Sequence, residues 1–365
     1  MKILTVFGTR PEIIRLSLIM RLLDSHSKQV LVHTGQNYDP GLSDIFMTEL
    51  GIRAVDHHLG VRSSGFAEQA GKILTGVDAL LESERPDRLL ILGDTNSGLA
   101  AVAAARRGIP VYHLEAGNRC YDNRVPEEVN RRVIDHCSDV LLPYTERSAE
   151  NLVREGIRRD RIFVTGNPIL EVLDHYGPQI GRSDALARLG LASKGYFLVT
   201  MHRAENVDDP ARLSKLLGGL DRAAAEFSKP CVVSVHPRTA DRIRRSGFQV
   251  DPKRVRLMEP FGLFDFIALE KAAAGVITDS GTVQEEACIF GIPNVTLRDV
   301  TERPETTECG SNILSGQSAD LLVAGMRLAL ETPGAWPLPP EYAKRNVAAT
   351  VARILLSYRH PMAGY

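Results

Sequence analysis

The sequence predicts an α/β protein with two doubly wound parallel sheets and helices on both faces of each sheet. Short runs rich in leucine and β-branched residues alternate with longer segments whose apolar residues recur at helical spacing. This alternation occurs twice along the 365 residues, a length that allows two domains with buried cores. Repeated strand–helix units are typical of parallel sheets. We therefore expect two Rossmann-like halves.

The first half contains six strand-like runs, at residues 2–7, 29–34, 88–93, 110–115, 139–144 and 161–166. Helices are predicted between these runs, including residues 10–25 and 97–108, because apolar side chains recur there every three or four positions. We assign residues 1–175 to this N-terminal domain. It contains the acidic residues singled out below.

The second half follows a polar stretch and repeats the same order of elements, without a visible repeat of sequence. Its strands are predicted at residues 196–202, 231–236, 254–259, 274–279 and 293–298, and its helices include 211–227 and 283–290. We expect a linker near 167–195 and a second domain over 176–340. Residues 341–365 form a helical tail, which by analogy with other two-lobed folds crosses back to the first domain.

Charge and cysteine content narrow the class of protein. Lysine plus arginine (44) nearly balances aspartate plus glutamate (45), so no overall charge attracts nucleic acid or an acidic membrane. The five cysteines are far apart and form no CxxC pair, which argues against a disulfide framework or a metal site. No apolar run reaches membrane-spanning length, and the first residues resemble a strand more than a secretory signal. We expect a cytoplasmic protein that binds a small molecule.

Acidic residues follow the predicted strands between positions 93 and 131. Asp94 follows the run LLILG, Glu115 follows VYHL, and Glu127 opens the next helix, on which Arg131 also lies. The carboxyl ends of parallel strands meet at one sheet edge, where ligands bind. Several acids in one crevice suit removal and return of a proton. Each acid alone also admits a structural role, as a helix cap or a first-turn acid.

The turn after the first strand reads GTRPE. It contains Arg10, and Arg15 follows three residues after the turn, so two basic side chains are candidates for ligand binding here. Gly8 permits a tight turn, and backbone N–H groups at the start of a helix favour anions. Arg10 and Arg15 are therefore candidates to meet a phosphate or an acidic partner. The alternative is an ordinary strand–helix turn in which Arg10 pairs with Glu12.

Basic residues also end two strands of the second half. His202 and Arg203 follow the first of these strands, and His236 ends the next. Placed at one edge, such pairs favour anion binding, and an imidazolium could stabilise a leaving diphosphate. A structural role for each histidine is the alternative.

The segment DSGTVQEE leads from a strand into a helix. Ser280 and Gly281 would stand at the helix N-terminus, where phosphate binds readily, and Glu286 is placed to accept both hydroxyls of a ribose. Simple capping by Ser280 is the alternative. No GxGxxG or GxxxxGK[ST] segment occurs, so a dinucleotide cofactor or a P-loop is disfavoured.

Seven motifs together resemble a known family. FGTRPE, GDTNS, HLEAG, VPEEVNRR, HRAEN, DSGTVQEE and DVTERPE occur in the order seen in the non-hydrolysing UDP-N-acetylglucosamine 2-epimerases, over residues 1–355. The resemblance implies a glycosyltransferase-B-like pair of domains with an interdomain cleft, acting without cofactor or metal. The implied reaction interconverts UDP-GlcNAc and UDP-ManNAc by eliminating UDP to 2-acetamidoglucal and adding it back. It also implies a homodimer that serves polysaccharide biosynthesis.

The resemblance implies roles for individual residues as well. Asp94, Glu115 and Glu127 match the catalytic carboxylates of the family, and His202 matches its diphosphate-side histidine. Arg15 stands where better-known members have a lysine, so the charge is kept but the donor geometry differs. The residues assigned to substrate binding are Arg10, Arg15, Arg131, Arg203, His236, Ser280, Gly281 and Glu286.

Three alternatives stay open on sequence grounds. HTGQNYD and EAGNRCYDNRVPEEVNRR are similar to a branch that acts on modified sugars and includes makers of UDP-N-acetyl-L-fucosamine. The same C2 epimerisation of that sugar or of a diacetamido uronate is therefore the nearest alternative. A retaining glycosyltransferase of this architecture would need an acceptor site. A non-catalytic UDP-sugar sensor would have no use for three clustered acids.

Overall fold

The computed structural model describes residues 1–36, 40–63, 65–235, 237–246, 248 and 250–359. The chain divides into two compact units, unit 1 with Met1–Asp174 and Glu341–Tyr365, and unit 2 with His175–Pro340. Each unit contains a six-stranded sheet in which all strand pairs are parallel. The prediction of two doubly wound parallel sheets is confirmed.

Unit 1 contains the strands β1 Lys2–Phe7, β2 Lys28–His33, β3 His57–His58, β4 Arg88–Leu92, β5 Val111–Leu114 and β6 Val140–Leu142. They lie in the order β3-β2-β1-β4-β5-β6. The helices are α1 Arg10–His26, α2 Pro40–Glu49, α3 Phe66–Glu84, α4 Ala100–Arg106, α5 Pro126–Cys137, α6 Glu146–Arg154 and α7 Ile169–His175. Short 3₁₀ turns occur at Asn96–Leu99 and Arg159–Arg161.

Unit 2 contains β7 Phe197–Thr200, β8 Cys231–Ser234, β9 Val255–Met258, β10 Gly275–Thr278, β11 Asn294–Thr296 and β12 Asn312–Leu314. Their order is β12-β11-β10-β7-β8-β9, which repeats the order of the first sheet when strands are counted within each unit. The helices are α8 Gly177–Ile180, α9 Ala185–Arg188, α10 Ala204–Val207, α11 Pro210–Phe227, α12 Pro237–Ser246, α13 Leu263–Ala272, α14 Gly281–Phe290, α15 Pro304–Glu308 and α16 Ala319–Glu331.

The chain then makes a 3₁₀ turn at Pro340–Ala343 and ends its described part with α17, Val347–Ser357. This last helix packs on α1 of unit 1. Across the described residues, no helix is both long enough and apolar enough to cross a membrane.

Apart from β3, β9 and β12, the strands of both sheets are almost entirely buried, which explains their nearly continuous apolar sequences. In unit 1, Val6 of β1 belongs to a core cluster that includes Ile73 of α3. In unit 2, Val199 of β7 packs in a cluster with Leu217 of α11 and Met326 of α16. Each sheet is thus held between helices, and the carboxyl ends of its strands point to one edge.

The prediction of a regular strand at 161–166 is wrong. Part of the segment belongs to the turn Arg159–Arg161, and only one isolated bridge joins Ile162 to Leu141. Pro143 follows β6 and has no N–H group to donate, so the ladder cannot continue beyond that strand. The segment runs beside β6 without completing a pairing.

Two further differences concern short elements. The stretch 167–195, expected to be a linker, contains α7, α8 and α9, and Ala185 is buried in a cluster with Tyr196. The strands β3 and β12 were not predicted. β3 has only two residues, and β12 begins at Asn312, so neither offers an apolar run long enough to be recognised as a strand.

Candidate functional site

The carboxyl ends of the unit 1 strands bring polar residues to one edge of the sheet. Gly8 follows β1, and a Cβ atom at this position would lie 2.0 Å from Thr34 Oγ1 and 2.4 Å from Ser97 Oγ. Those two hydroxyl groups are themselves 2.8 Å apart. Only glycine therefore lets the chain pass so close to them. The turn leads directly into α1, which contains Arg10 and Arg15.

Arg15 and Glu115 form a buried ion pair at this edge. Arg15 Nη1 lies 2.6 Å from Glu115 Oε2, and the two side chains are 3% and 6% exposed. Glu115 directly follows β5 and has a φ of 69°, a left-handed conformation that is costly for a residue with a Cβ atom. Strained backbone of this kind is concentrated at functional sites. Arg15 also stacks over the ring of Tyr144 at 5.8 Å.

Arg131 of α5 holds Asp94. Its Nε and Nη2 atoms lie 2.8 and 2.7 Å from Asp94 Oδ2, while its Nη1 atom lies 2.6 Å from Glu128 Oε2. The turn after β4 is capped by Thr95, whose hydroxyl accepts a hydrogen bond from the Ser97 N–H at 3.2 Å. Capping, the structural role considered for Asp94, is thus performed by its neighbour, and the Asp94 carboxylate points to Arg131.

The two adjacent acids at the start of α5 have different surroundings. Glu128 is completely buried and accepts hydrogen bonds from the N–H groups of Cys120 and Tyr121 at 3.1 and 3.0 Å. Burial raises its pKa, but these bonds and the Arg131 guanidinium outweigh burial and hold the pKa below its ordinary value. Glu127 is half-buried. Glu128 therefore anchors the loop before α5, while Glu127 keeps a carboxylate near the surface of the helix start.

Glu12, which the sequence reasoning treated only as a partner for Arg10, is a further buried acid at this edge. Its carboxylate accepts hydrogen bonds from the N–H groups of Gly8 and Thr9 at 2.8 and 2.7 Å and from Thr95 Oγ1 at 2.8 Å. Burial raises the pKa of Glu12 to about 7, against the effect of these bonds. The T-x-x-E spacing of a capping box could have indicated this role. Arg10 stacks over the ring of Phe46 at 5.6 Å.

His113 and Asp135 were also missed, and they brace the backbone around Glu115. His113 Nδ1 lies 2.8 Å from Asp135 Oδ1, and its Nε2 lies 2.8 Å from the Gly93 carbonyl oxygen. Asp135 also pairs with Arg119 Nη1 at 2.8 Å and accepts the Gly117 N–H at 3.2 Å. Burial raises the pKa of Asp135, but His113 and Arg119 outweigh it and lower the pKa. This buried network ties the ends of β4 and β5 together.

In unit 2 the carboxyl ends of β7 and β10 are joined through Asp279. This fully buried carboxylate accepts the N–H groups of His202 and Arg203, each at 2.9 Å, and Asn206 Nδ2 at 3.0 Å. His202 Nδ1 lies 3.1 Å from Asp279 Oδ1, and the imidazole is half exposed. Burial raises the pKa of Asp279, but His202 and the hydrogen bonds outweigh it and lower the pKa to about 2. The carboxylate thus fixes the ring by Nδ1 and leaves Nε2 for a ligand.

Arg203 belongs to a buried charge cluster beside the start of α14. Arg203 Nη2 lies 2.9 Å from Glu302 Oε1, and Arg298 Nη1 lies 2.5 Å from Glu302 Oε2. Arg303 pairs with Glu285 on the first turns of α14. Arg298 Nε also lies 3.6 Å from Glu205 Oε1, so the three guanidinium groups of the cluster are matched by three carboxylates.

Ser280 and Gly281 stand where α14 begins. Ser280 is the N-cap residue, but its side chain caps no N–H group of the helix, so the capping alternative is not supported. A Cβ atom at Gly281 would lie 2.8 Å from Glu302 Oε1. Glycine therefore lets the helix start approach the charge cluster while the first-turn N–H groups have no partner within the helix. An anion fits such a helix start.

Glu286 lies one turn further along α14 and is 2% exposed. Its carboxyl group contacts that of Glu270, on α13, which the sequence reasoning did not single out. His236, also predicted to bind substrate, lies outside the described residues. The structure thus brings His202, Arg203, Ser280, Gly281 and Glu286 to neighbouring elements of unit 2, and it brings Asp94, Glu115, Arg15 and Arg131 to one edge of unit 1.

The arrangement thus places arginine-held carboxylates at the strand ends of one α/β unit, and a charge cluster beside a helix start at the strand ends of the other. The family model "UDP-N-acetylglucosamine 2-epimerase" matches residues 22–356. The UDP-N-acetylglucosamine 2-epimerase of Methanocaldococcus jannaschii is 39% identical over 97% of this chain and 99% of its own. Its crystal structure in complex with UDP-GlcNAc and UDP has a TM-score of 0.94 at 37% identity and covers 98% of this chain and 100% of its own.

A relative with another substrate in its name is nearly as similar. The UDP-2,3-diacetamido-2,3-dideoxy-D-glucuronate 2-epimerase of Pseudomonas aeruginosa is 37% identical over 90% of this chain and 92% of its own. The chain belongs to the UDP-N-acetylglucosamine 2-epimerase family. The predictions of this family and of an epimerase, a class of isomerase, are confirmed.

Proposed function

We propose that the protein is a non-hydrolysing 2-epimerase that interconverts UDP-GlcNAc and UDP-ManNAc. The observation that carries the proposal is the pair of carboxylates Glu115 and Asp94, each held by an arginine at the same sheet edge. The names of the similar proteins support the same substrate. In this reaction the C2–H and C1–O bonds break, UDP leaves, and 2-acetamidoglucal forms. Protonation of C2 on the other face and return of UDP to C1 give the epimer.

Unit 1 would perform the proton transfers. The C2 proton is only weakly acidic, so a carboxylate must be held close to it while the C1–O bond breaks. Glu115 and Asp94 are fixed by Arg15 and Arg131, which prevents them from turning away from the sugar. Glu127, on the first turn of α5, is the third acid available for return of the proton on the opposite face. A pair of acids is needed because the proton leaves one face of C2 and a proton is added to the opposite face.

Unit 2 would hold the nucleotide and stabilise its departure. The N–H groups at the start of α14, next to Ser280 and Gly281, are suited to the diphosphate. By resemblance, Arg10 of unit 1 is a further candidate to contact UDP. His202, held by Asp279, would donate from Nε2 to the diphosphate as negative charge develops on it. Glu286 would accept the ribose hydroxyls. Arg203 is tied to Glu302 and would add positive charge nearby.

A modified UDP-HexNAc is the second candidate substrate, because a diacetamido uronate 2-epimerase is similar to the chain over most of its length. The chemistry at C1 and C2 would be the same, so the acids and His202 would keep their roles. Turnover is the test: the protein is incubated without added cofactor with UDP-GlcNAc, with UDP-2,3-diacetamido-2,3-dideoxy-D-glucuronate and with UDP-N-acetyl-L-fucosamine. NMR spectra then report the C2 epimer of each.

We expect UDP-ManNAc to accumulate from UDP-GlcNAc faster than the other two substrates react. Faster turnover of a modified sugar would reassign the substrate and keep the mechanism. UDP binding without turnover of any of the three would favour a sensor, and sugar transfer to an added acceptor would favour a glycosyltransferase. By resemblance we also propose a cytoplasmic homodimer that serves polysaccharide biosynthesis, and light scattering of the purified protein tests its oligomeric state.

A further inference from the structure

The carboxyl groups of Glu270 and Glu286 meet inside unit 2. Glu270 lies on α13 and is fully buried, and Glu286 lies on α14, which packs against α13. Among the described residues, no N–H or O–H group donates a hydrogen bond to either oxygen of Glu270. The group that its carboxyl contacts is the carboxyl of Glu286. Two hydrogen-bond acceptors are thus buried face to face.

Such a pair requires a proton. Two buried carboxylates in contact cannot both be ionised, because the repulsion between them adds to the cost of removing each from water. The other charged group that acts on Glu270 is its neighbour Lys271, which only partly compensates. Burial and the charge of Glu286 raise the pKa of Glu270 well above its usual range. One proton therefore lies between the two groups, as in other carboxyl pairs.

We propose that Glu270 is a positioning residue for nucleotide recognition, whose protonated carboxyl donates a hydrogen bond to Glu286 and fixes Glu286 as an ionised acceptor for the ribose hydroxyls. The inference rests on the proposed function, in which Glu286 binds the ribose of the UDP-sugar. A neutral donor suits this task, because it orients one oxygen of Glu286 without cancelling the negative charge that the ribose hydroxyls require. A lysine or arginine at position 270 would orient the carboxylate but compete with the ribose for it.

Two variants of Glu270 separate a positioning role from simple packing. Glu270→Gln keeps an N–H donor in the same place and cannot ionise, whereas Glu270→Leu keeps the volume and removes the donor. Calorimetry measures the affinity of each protein for UDP and for 2′,3′-dideoxyuridine diphosphate, which lacks both ribose hydroxyls. Glu226→Leu, on the exposed surface of α11, is the matched control for loss of a glutamate.

We expect the parent protein to prefer UDP over the dideoxy analogue by roughly tenfold or more. The reason is that the analogue has no ribose hydroxyls to donate to the charged carboxylate of Glu286. Glu270→Gln should keep UDP affinity within about threefold, and Glu270→Leu should lose about tenfold for UDP and much less for the analogue. If Glu270→Leu lost the same affinity for both ligands, Glu270 would contribute only to packing, and the inference would be overturned. Equal behaviour of Glu270→Gln and Glu270→Leu would overturn it too.

The inference can fail while the proposed function stands. If the parent epimerises a UDP-HexNAc and prefers UDP, but neither variant changes that preference, the positioning role is wrong and the function survives. If the parent binds no UDP at all, the proposed function falls and the role of Glu270 falls with it. Thermal unfolding of both variants shows whether the carboxyl pair also contributes to stability, and Glu270→Gln provides the comparison if Glu270→Leu fails to fold.

Discussion

The guanidinium of Arg15 donates a hydrogen bond to the carboxylate of Glu115 at 2.6 Å, across 100 positions of the chain, and both side chains are buried. The pair joins the first helix of unit 1 to the end of β5. Because a buried carboxylate without this partner would be costly, Arg15 both stabilises the charge of Glu115 and sets the direction in which it points. This relationship makes Glu115 the strongest candidate for the group that removes the C2 proton.

Replacing Glu115 by glutamine should abolish most of the chemistry and keep the nucleotide site. The amide cannot accept a proton, so we expect C2 exchange to fall by about a thousandfold while UDP affinity stays within about twofold. Calorimetry and an exchange assay by NMR measure the two quantities. Arg15→Lys is the control, because it keeps the charge but changes the donor geometry, and it should lose much less. Unchanged exchange in Glu115→Gln would remove Glu115 from the mechanism.

The adjacent residues Glu127 and Glu128 form a natural matched pair. Glu128→Gln breaks a buried ion pair with Arg131 and weakens bonds to two backbone N–H groups, so we expect the free energy of unfolding to fall by about 3 kcal/mol. Glu127→Gln, at a half-buried position, should unfold like the parent and lose about a hundredfold in turnover. Urea unfolding and steady-state kinetics separate the two effects. The reverse pattern would assign the catalytic role to Glu128.

Removing the imidazole of His202 should act through the leaving group. We expect His202→Ala to lower turnover by about a hundredfold, because one donor to the developing diphosphate charge is lost. The loss should be smaller for a substrate whose leaving group needs less help, such as a UDP analogue with an electron-withdrawing bridge. Near-normal turnover with UDP-GlcNAc would return His202 to a structural role as a partner of Asp279.

Glu12 predicts a pH dependence of stability. Its pKa is raised from 4.5 to about 7, so the folded protein retains a proton there that the unfolded chain has already lost. The stabilisation is therefore fully present below pH 4.5 and is lost as the pH rises to about 7, with a total change of about 3 kcal/mol. Urea unfolding at pH 5 and pH 8 measures it. Glu12→Gln should flatten this dependence, and the exposed Glu82→Gln should leave it unchanged. If the difference in unfolding free energy between the parent and Glu12→Gln were the same at both pH values, the raised pKa of Glu12 would be contradicted.

The sequence was sufficient for the fold class because the buried strands are continuous apolar runs, such as Leu89–Leu92, which end where the polar site residues begin. The same reasoning placed Asp94 and Glu115 at strand ends. It could not show which arginine would pair with which acid, since Arg15 and Glu115 meet only in the folded chain. Thr95 rather than Asp94 caps the following turn, a choice decided by the position of Arg131.

Other features were outside the reach of sequence patterns for a physical reason. Glu270 interrupts an otherwise apolar helix face, and only the packing of α13 on α14 brings it against Glu286. The strand predicted at 161–166 has suitable residue types, but the three-residue length of β6 and the following Pro143 prevent a ladder. In each case the contacts made by the neighbouring element, and not the local sequence, determine the structure.

The central claim is that carboxylates of unit 1 remove and return the proton at C2. Incubation with UDP-GlcNAc in D₂O, followed by NMR of the C2 position, tests it most directly. We predict deuterium at C2 of both UDP-GlcNAc and UDP-ManNAc in the parent protein, and almost none with Glu115→Gln. Formation of UDP-ManNAc with the original hydrogen still on C2 would contradict the claim, because the carboxylates would then have exchanged no proton with the solvent.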